Sequence, residues 1–292
     1  MRLQDALDRF VVQLQADGRS QHTIAQYRRH IALLGRWLEA AGHSDDVDEL
    51  SHELLAQFLI APDARTSQRG GTKKATSMNA LRSSMRAFFH YVHEAGWARQ
   101  NPARLVRRAR CSGGPPRGLS DEDRERLLGT LVAAKGSEAR RDHMLFHLML
   151  ATGVRLSAAL ALTAVDVDLE RGELTIQHAK GDRVEIVFLS PALRAHLSSY
   201  LGGCQPGPLF PGANGRPMSR RHAARRLGIW MERAACRGTA HPHALRHTFA
   251  TRLYRKTQDL LLVQEALGHR SVLSTMVYAR VDRARLRQVI AG

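Results

Sequence analysis

Acidic residues are scarce in this sequence: 27 Asp and Glu stand against 44 Lys and Arg, leaving a formal net charge of +17 over 292 residues and a pI near 11.0. Cysteine is rarer still. Cys111, Cys204 and Cys236 are odd in number and far apart, which argues against a disulfide framework and suits a reducing, cytoplasmic setting. No apolar run approaches the roughly 18 residues that a membrane span needs. The N-terminal stretch, residues 1–18, carries Asp5 and Asp8 among its apolar residues and reads as an amphipathic helix, not a signal peptide. Membrane association is therefore not expected.

Apolar content of 43% is ordinary, and the length allows one large or two modest domains. The positive charge is shared along the chain. Residues 1–118 hold 18 basic and 11 acidic side chains, and residues 119–292 hold 26 and 16. A basic tail would concentrate the surplus at one end, whereas here both parts face a polyanion. Duplex nucleic acid fits, because neutralising phosphates releases counterions and rewards such a surface. The competing explanation is a generally arginine-rich composition.

Helical spacing organises the first part. Leu3, Ala6, Leu7, Phe10, Val11 and Leu14 share one face, and Ser20 caps a second helix with Ile24, Tyr27, Ile31, Leu34, Trp37 and Leu38 inward, ending at Gly42. Ser51 caps a third helix over 50–60. A glycine-punctuated basic loop over 65–77 leads to a fourth helix from Met78, with Leu81, Met85, Phe88 or Phe89, and Val92 inward. Residues 1–98 thus read as an all-α, four-helix domain. Residues 99–118 hold six arginines, no acid and a Gly-Gly-Pro-Pro break, and read as a basic interdomain linker. Residues 119–292 read as a mainly helical α+β domain. Ser120 and its three following acids open a helix, and a long apolar helix lies near 142–153. Alternating stretches at 163–169, 173–177 and 183–189 predict a small antiparallel sheet. After Ser219, a helix presents Arg220, Arg221, Arg225, Arg226 and Arg233 as a basic side.

One stretch concentrates chemistry. HPHALRHTFAT, residues 241–251, holds His241, His243, Arg246 and His247. A metal reading is poorly supported, because no carboxylate or thiolate occurs from 241 to 258 and Pro242 sets a helix boundary after His241. A phosphate reading fits better. On a helix starting at Pro242, His243 and Arg246 stand at i and i+3, pairing an imidazole that titrates near neutrality with a forked guanidinium. His247 falls on another side, as a packing histidine.

Its sequence context adds to this. ATGVRLSAALAL (151–162) breaks a helix at Gly153 and resumes with Arg155. IQHAKGDRVEI (176–186) puts Lys180 at a hairpin tip, and Gly268-His269 precedes Tyr278 by nine residues from the histidine. With HxLRH between them, these motifs make the chain resemble the tyrosine recombinase (phage integrase) family. The resemblance spans essentially the whole chain, because residues 1–98, running into Gly96–Ala103 (G-x4-NPA), look like the family's SAM-like core-binding domain. The start of the chain at those helices favours an Xer-like system.

The resemblance implies a site-specific DNA recombinase. Arg155 and Arg246 would clamp the nonbridging phosphate oxygens, and His269 would add a hydrogen bond. Tyr278 would attack to leave a 3′-phosphotyrosine. Lys180 would protonate the departing 5′-oxygen, and His243 would assist the tyrosine. Fixed positive donors make a metal or other cofactor unnecessary. Ala158 stands where the family usually carries an acid. Tyr27, Arg28, Arg69, Lys73, Lys74, Arg82, Arg107, Arg108, Arg220, Arg221 and Arg225 are expected to face double-stranded DNA carrying paired inverted half-sites. The tail, with Val281, Leu286, Val289 and Ile290 among arginines, is expected to dock on a neighbouring subunit and link a tetramer on two DNA sites in the bacterial nucleoid. The rivals are a noncatalytic DNA-binding regulator and a type IB topoisomerase-like relaxing enzyme.

Overall fold

The computed structural model describes residues 1–67, 70–111, 118–179, 183–202, 207–238, 241–268, 275 and 276. Two compact units divide the chain, Met1–Gly113 and Gly114–Gly292.

Among the described residues, five helices build the first unit: α1 (Leu3–Ala16), α2 (Gln21–Ala40), α3 (His52–Ile60), α4 (Pro62–Arg65) and α5 (Ala75–Glu94). Ser20 and Ser51 cap α2 and α3 as expected, their hydroxyls accepting the Thr23 and Leu54 N–H groups at 3.2 Å. The six apolar α1 positions are all buried. The ring of Phe10 meets those of Tyr27, Phe88 and Tyr91 at centroid distances of 5.4, 5.6 and 5.1 Å. Phe88 and Phe89 are both buried, each stabilising the unit by about 1.5–3 kcal/mol relative to exposure. Two details differ from the periodicity. Pro62 cannot continue α3 and instead opens the extra turn α4, where its missing N–H is harmless. Helix α5 begins at Ala75, three residues before Met78, because polar first-turn residues carry no apolar signature. The chain beyond α5 packs back on the unit. Ala103 and Val106 join its core, and the Asn79 amide both donates to and accepts from the Ala109 backbone at 2.8 Å.

The second unit starts with α6 (Asp121–Ala133), capped by Ser120, and α7 (Ser137–Thr152). Helix α7 is buried on most sides because α6, α9 (Pro191–Leu201), α10 (Arg220–Arg233) and α11 (Pro242–Thr257) all pack on it. Between α7 and α9 lie the short α8 (Leu156–Ala159) and a three-stranded antiparallel sheet, β1 (Val167–Asp168), β2 (Glu173–Ala179) and β3 (Arg183–Phe188), in that order. The first strand shrinks to two residues. Asp166 accepts from the Thr163 N–H and hydroxyl at 2.8 Å and winds 164–166 into a 3-10 turn. In β2 and β3, Leu174 pairs with Val187 and faces the core, whereas Val184, Ile186 and Phe188 point outward and are exposed. Helix α12 (Leu260–Ala266) closes the described part of the unit, capped by Asp259, which accepts from the Leu261 and Leu262 N–H groups. Among the described residues no helix is long and apolar enough to cross a membrane.

The basic side of α10 is narrower than expected. Arg220, Arg221 and Arg225 are exposed, but Arg226 turns inward, its Nε donating to Asp142 at 2.5 Å and its Nη1 lying 3.3 Å from Glu138. The Arg233 guanidinium lies 5.0 Å over the Trp230 ring. Asp142 is fully buried, so its charge requires partners. Arg141 and the Trp230 indole also donate to it, at 2.9 and 2.8 Å.

Candidate active site

Helix α11 begins where the histidine-rich stretch predicts. His241 is its N-cap, accepting the His243 N–H on Nδ1 at 3.2 Å, and Pro242 occupies the first helical position. The His241 and His243 rings stack 5.3 Å apart. Two side chains of α6 and α11 fix this entry. Asp123 accepts the Arg237 and Gly238 N–H groups at 3.1 and 3.0 Å, and Thr248 accepts the Leu119 N–H at 2.7 Å. Among the described residues, His241, His243 and His247 do not form a three-ligand metal group.

One turn into α11, Arg246 points into the unit and is buried. Its Nη1 donates to the Gly153 carbonyl at 2.6 Å and its Nη2 to the Leu267 carbonyl. Gly153 ends α7 in the left-handed region at φ +69°, and a Cβ there would fall 2.3 Å from the Phe249 ring. Glycine is therefore demanded twice, by conformation and by the close approach of α11. Two residues on, Arg155 caps α8 and reaches the Gly268 carbonyl with Nη2 at 3.5 Å. The two guanidiniums thus arrive from separate helix ends at consecutive carbonyls, those of Leu267 and Gly268. Gly268 has φ +56°, and a Cβ on it would meet a Glu185 carboxylate oxygen of β3 at 2.7 Å.

The electrostatics follow from this crowding. Partial desolvation, then the neighbouring His241, Arg246 and Arg155, lowers the pKa of His243. Desolvation followed by His243, Arg246 and His241 does the same for His247. Both imidazoles are thereby kept uncharged at neutral pH, so that of His243 can accept a proton. Positive donors beside a basic imidazole suit the charge that builds on a phosphodiester under attack.

Lys180, His269, Tyr278 and Arg69 lie outside the described residues. The other tyrosines are engaged in packing. Tyr200 is buried and donates to the Leu209 carbonyl at 2.8 Å, Tyr27 and Tyr91 pack on Phe10, and Tyr254 packs against the Ala250–Val263–Leu267 cluster. Ala158 packs against the hydrophobic core, so no carboxylate stands there.

The residues expected to face DNA fall into two groups. Arg28, Lys74, Arg107, Arg108, Arg220, Arg221 and Arg225 are exposed. Tyr27, Lys73 and Arg82 are held by intramolecular contacts. Lys73 donates to the Ala64 carbonyl at 2.7 Å, which ties down α4, while desolvation and Arg29 lower its pKa. Arg82 donates to Asn79 at 3.3 Å. Two residues that sequence reasoning passed over join Arg108 in a cleft of about 530 Å³: Arg86 and Arg104, beside His90 and Asn101. Their signal was the repeat of arginine at four-residue spacing, Arg82–Arg86 and Arg104–Arg108. Glu185 was passed over too, because β3 is apolar on both faces and hides which side its acid takes.

Two arginines beside uncharged imidazoles, preceded by a basic all-helical unit, suit an enzyme that acts on the phosphates of DNA. Comparison with known proteins agrees. Residues 118–285 match the phage integrase family, and residues 7–96 match the phage integrase N-terminal SAM-like domain. The chain is 30% identical to the tyrosine recombinase XerC of Chromobacterium violaceum, over 99% of this chain and 94% of that protein. It is also 30% identical to the tyrosine recombinase XerD of Ralstonia nicotianae, over 94% of this chain and 89% of that one. Among solved structures, a complex of the XerH site-specific recombinase with a palindromic difH substrate superposes with a TM-score of 0.75 at 23% identity, covering 94% of this chain and 81% of that one. The chain belongs to the phage integrase family, the tyrosine recombinases that catalyse site-specific DNA cleavage and rejoining.

Proposed function

We propose that this chain recombines DNA through a 3′-phosphotyrosine intermediate, with Arg155, Lys180, His243, Arg246, His269 and Tyr278 as its catalytic set. The observation that carries the reading is the convergence of Arg155 and Arg246 on the Leu267 and Gly268 carbonyls, immediately before His269. Carbonyl dipoles orient both guanidiniums at the turn before His269, which suits the pair to donate to phosphate oxygens as charge builds on them. Tyr278 attacks the phosphorus with its hydroxyl oxygen and gives up its proton to His243. The bond from phosphorus to the 5′-oxygen breaks, and Lys180 protonates that oxygen. The new phosphotyrosine bond preserves the phosphodiester energy. A 5′-hydroxyl from a second strand then reverses the steps, with neither metal nor nucleotide required for the chemistry. Glu185, standing at Gly268, fits as the carboxylate that supports this turn where Ala158 provides none.

Residues 1–98 form the core-binding domain in this reading, 99–118 the basic linker, and 119–292 the catalytic domain. Exposed Arg28, Lys74, Arg107, Arg108, Arg220, Arg221 and Arg225 contact phosphates. The substrate carries paired inverted half-sites, a reading the palindromic substrate of XerH supports. Four subunits assemble on two DNA sites through the C-terminal tail, in the cytoplasm at the nucleoid. Truncation after Val281 should leave half-site binding intact and remove cooperative filling of full sites in a gel-shift titration. Unchanged cooperativity would mean that the tail only caps its own domain.

The chemistry is tested with a nicked suicide substrate. Tyr278→Phe should bind it normally and form no covalent adduct on a denaturing gel, because only the attacking oxygen is gone. A persistent adduct would move the nucleophile elsewhere, to Tyr254 first.

A further inference from the structure

The second unit holds a group of three histidines that the recombination chemistry does not use. His143 and His147 lie one turn apart on α7, and His196 faces them from α9. Their ring centroids are 4.4 to 5.8 Å apart, and one ligand-capable nitrogen from each lies within 4.8 Å of the others. The closest pair, His147 Nδ1 and His196 Nδ1, are 2.8 Å apart and share one proton in a hydrogen bond. All three rings are half-buried. Among the described residues none of them forms an ion pair with a carboxylate, and the nearby charges are Arg124 and Arg140.

Packing alone gives no account of three imidazoles gathered face to face where α7 and α9, whose other inward residues join the hydrophobic core, pack together. From this geometry we infer that His143, His147 and His196 form a binding site for a divalent transition-metal ion of the zinc class. An i, i+4 histidine pair on one helix with a third imidazole from a facing helix is a facial three-nitrogen donor set. Zinc–nitrogen bonds of about 2.0–2.1 Å in tetrahedral geometry separate ligand nitrogens by about 3.3 Å. The 2.8 Å pair therefore opens slightly, and His143 closes in by rotation about its side-chain bonds. Imidazole selects zinc, copper and nickel over magnesium and calcium, which prefer oxygen. Burial and the neighbouring rings hold the pKa values of His143 and His147 down to about 4, so the rings are uncharged at neutral pH. Arg124 and Arg140 disfavour a bare dication and favour an anion, such as hydroxide or chloride, in the fourth position. The bound ion would clip α9, which follows β3, onto α7, whose end carries Gly153 and leads to Arg155. This assignment is independent of the proposed recombination chemistry.

The test uses the full chain without an affinity tag, stripped by chelator and then titrated with zinc chloride in a calorimeter. One zinc per chain is expected, with a concentration-dependent rise in melting temperature. Cobalt(II), added instead, should give the intense visible bands of a four-coordinate nitrogen site. His147→Gln and His196→Gln, each checked for native circular dichroism, should each weaken zinc binding on the order of 100-fold. His241→Gln should leave it unchanged. The inference is overturned if the wild-type chain takes up no stoichiometric zinc and yields only the octahedral cobalt spectrum. It is equally overturned if both α7–α9 variants retain wild-type affinity, or if His241→Gln alone removes it.

Discussion

Two arginines on neighbouring helices of the second unit, Arg226 on α10 and Arg246 on α11, are both withdrawn from solvent but end in opposite chemical settings. Arg226 meets carboxylates, Asp142 at 2.5 Å and Glu138 at 3.3 Å, and its charge is cancelled where it lies. The contacts described for Arg246 are to carbonyl oxygens, those of Gly153 and Leu267. A carboxylate makes an arginine a structural fastener. The carbonyls fix the plane of the Arg246 guanidinium, so an incoming phosphate would meet it in a set orientation. Residue type alone does not separate structural from functional arginines in so basic a chain; their tertiary surroundings are needed as well.

The contrast can be broken at its structural pole. Asp142→Ala removes the acceptor of Arg141, Arg226 and Trp230 from a fully buried position. Breaking such a network should destabilise the second unit by about 3–5 kcal/mol, read from urea unfolding, because buried Arg141 loses its carboxylate and Arg226 keeps only the exposed Glu138. A loss below 1 kcal/mol would show that the network is dispensable. An exposed arginine of α10 gives a smaller effect. Arg225→Ala should weaken DNA binding uniformly across sequences and lower the slope of log affinity against log salt by about 0.9, the share of one phosphate. Arg226→Ala, one residue away, should leave that slope unchanged while lowering stability. Equal slopes for the two variants would erase the distinction.

Much of this was legible from residues because it is local. Ser20, Ser51, Ser120 and Ser219 cap the helices they precede, and the alternation of β2 and β3 predicts their antiparallel pairing. The i, i+3 relation of His243 and Arg246 could be read directly, and so could the helix break at Gly153. What stayed hidden depends on partners distant in sequence. Arg226 looks like one more solvated arginine until Asp142, 84 residues earlier, is found beneath it. Lys73 looks free for DNA until the Ala64 carbonyl takes its ammonium group. His143 and His147 stand four residues apart in the apolar stretch but were not singled out from the sequence. Nothing local announces that His196, 49 residues beyond His147, completes the group. Arg155 and Arg246 reach consecutive carbonyls because α7 and α11 pack on each other; only the family resemblance linked them beforehand.

Neutralisation of charge by Arg246 and Arg155 can be measured at the scissile phosphate itself. Arg246→Ala should slow single-turnover cleavage of an ordinary substrate about 10²–10³-fold while leaving half-site affinity within a few-fold. A substrate with a methylphosphonate at the scissile position lacks the negative nonbridging oxygen that the guanidinium would stabilise. On it, wild type and Arg246→Ala should cleave at similar rates, with the variant's defect largely gone. An undiminished defect on the neutral substrate would instead place Arg246 among the structural arginines alongside Arg226.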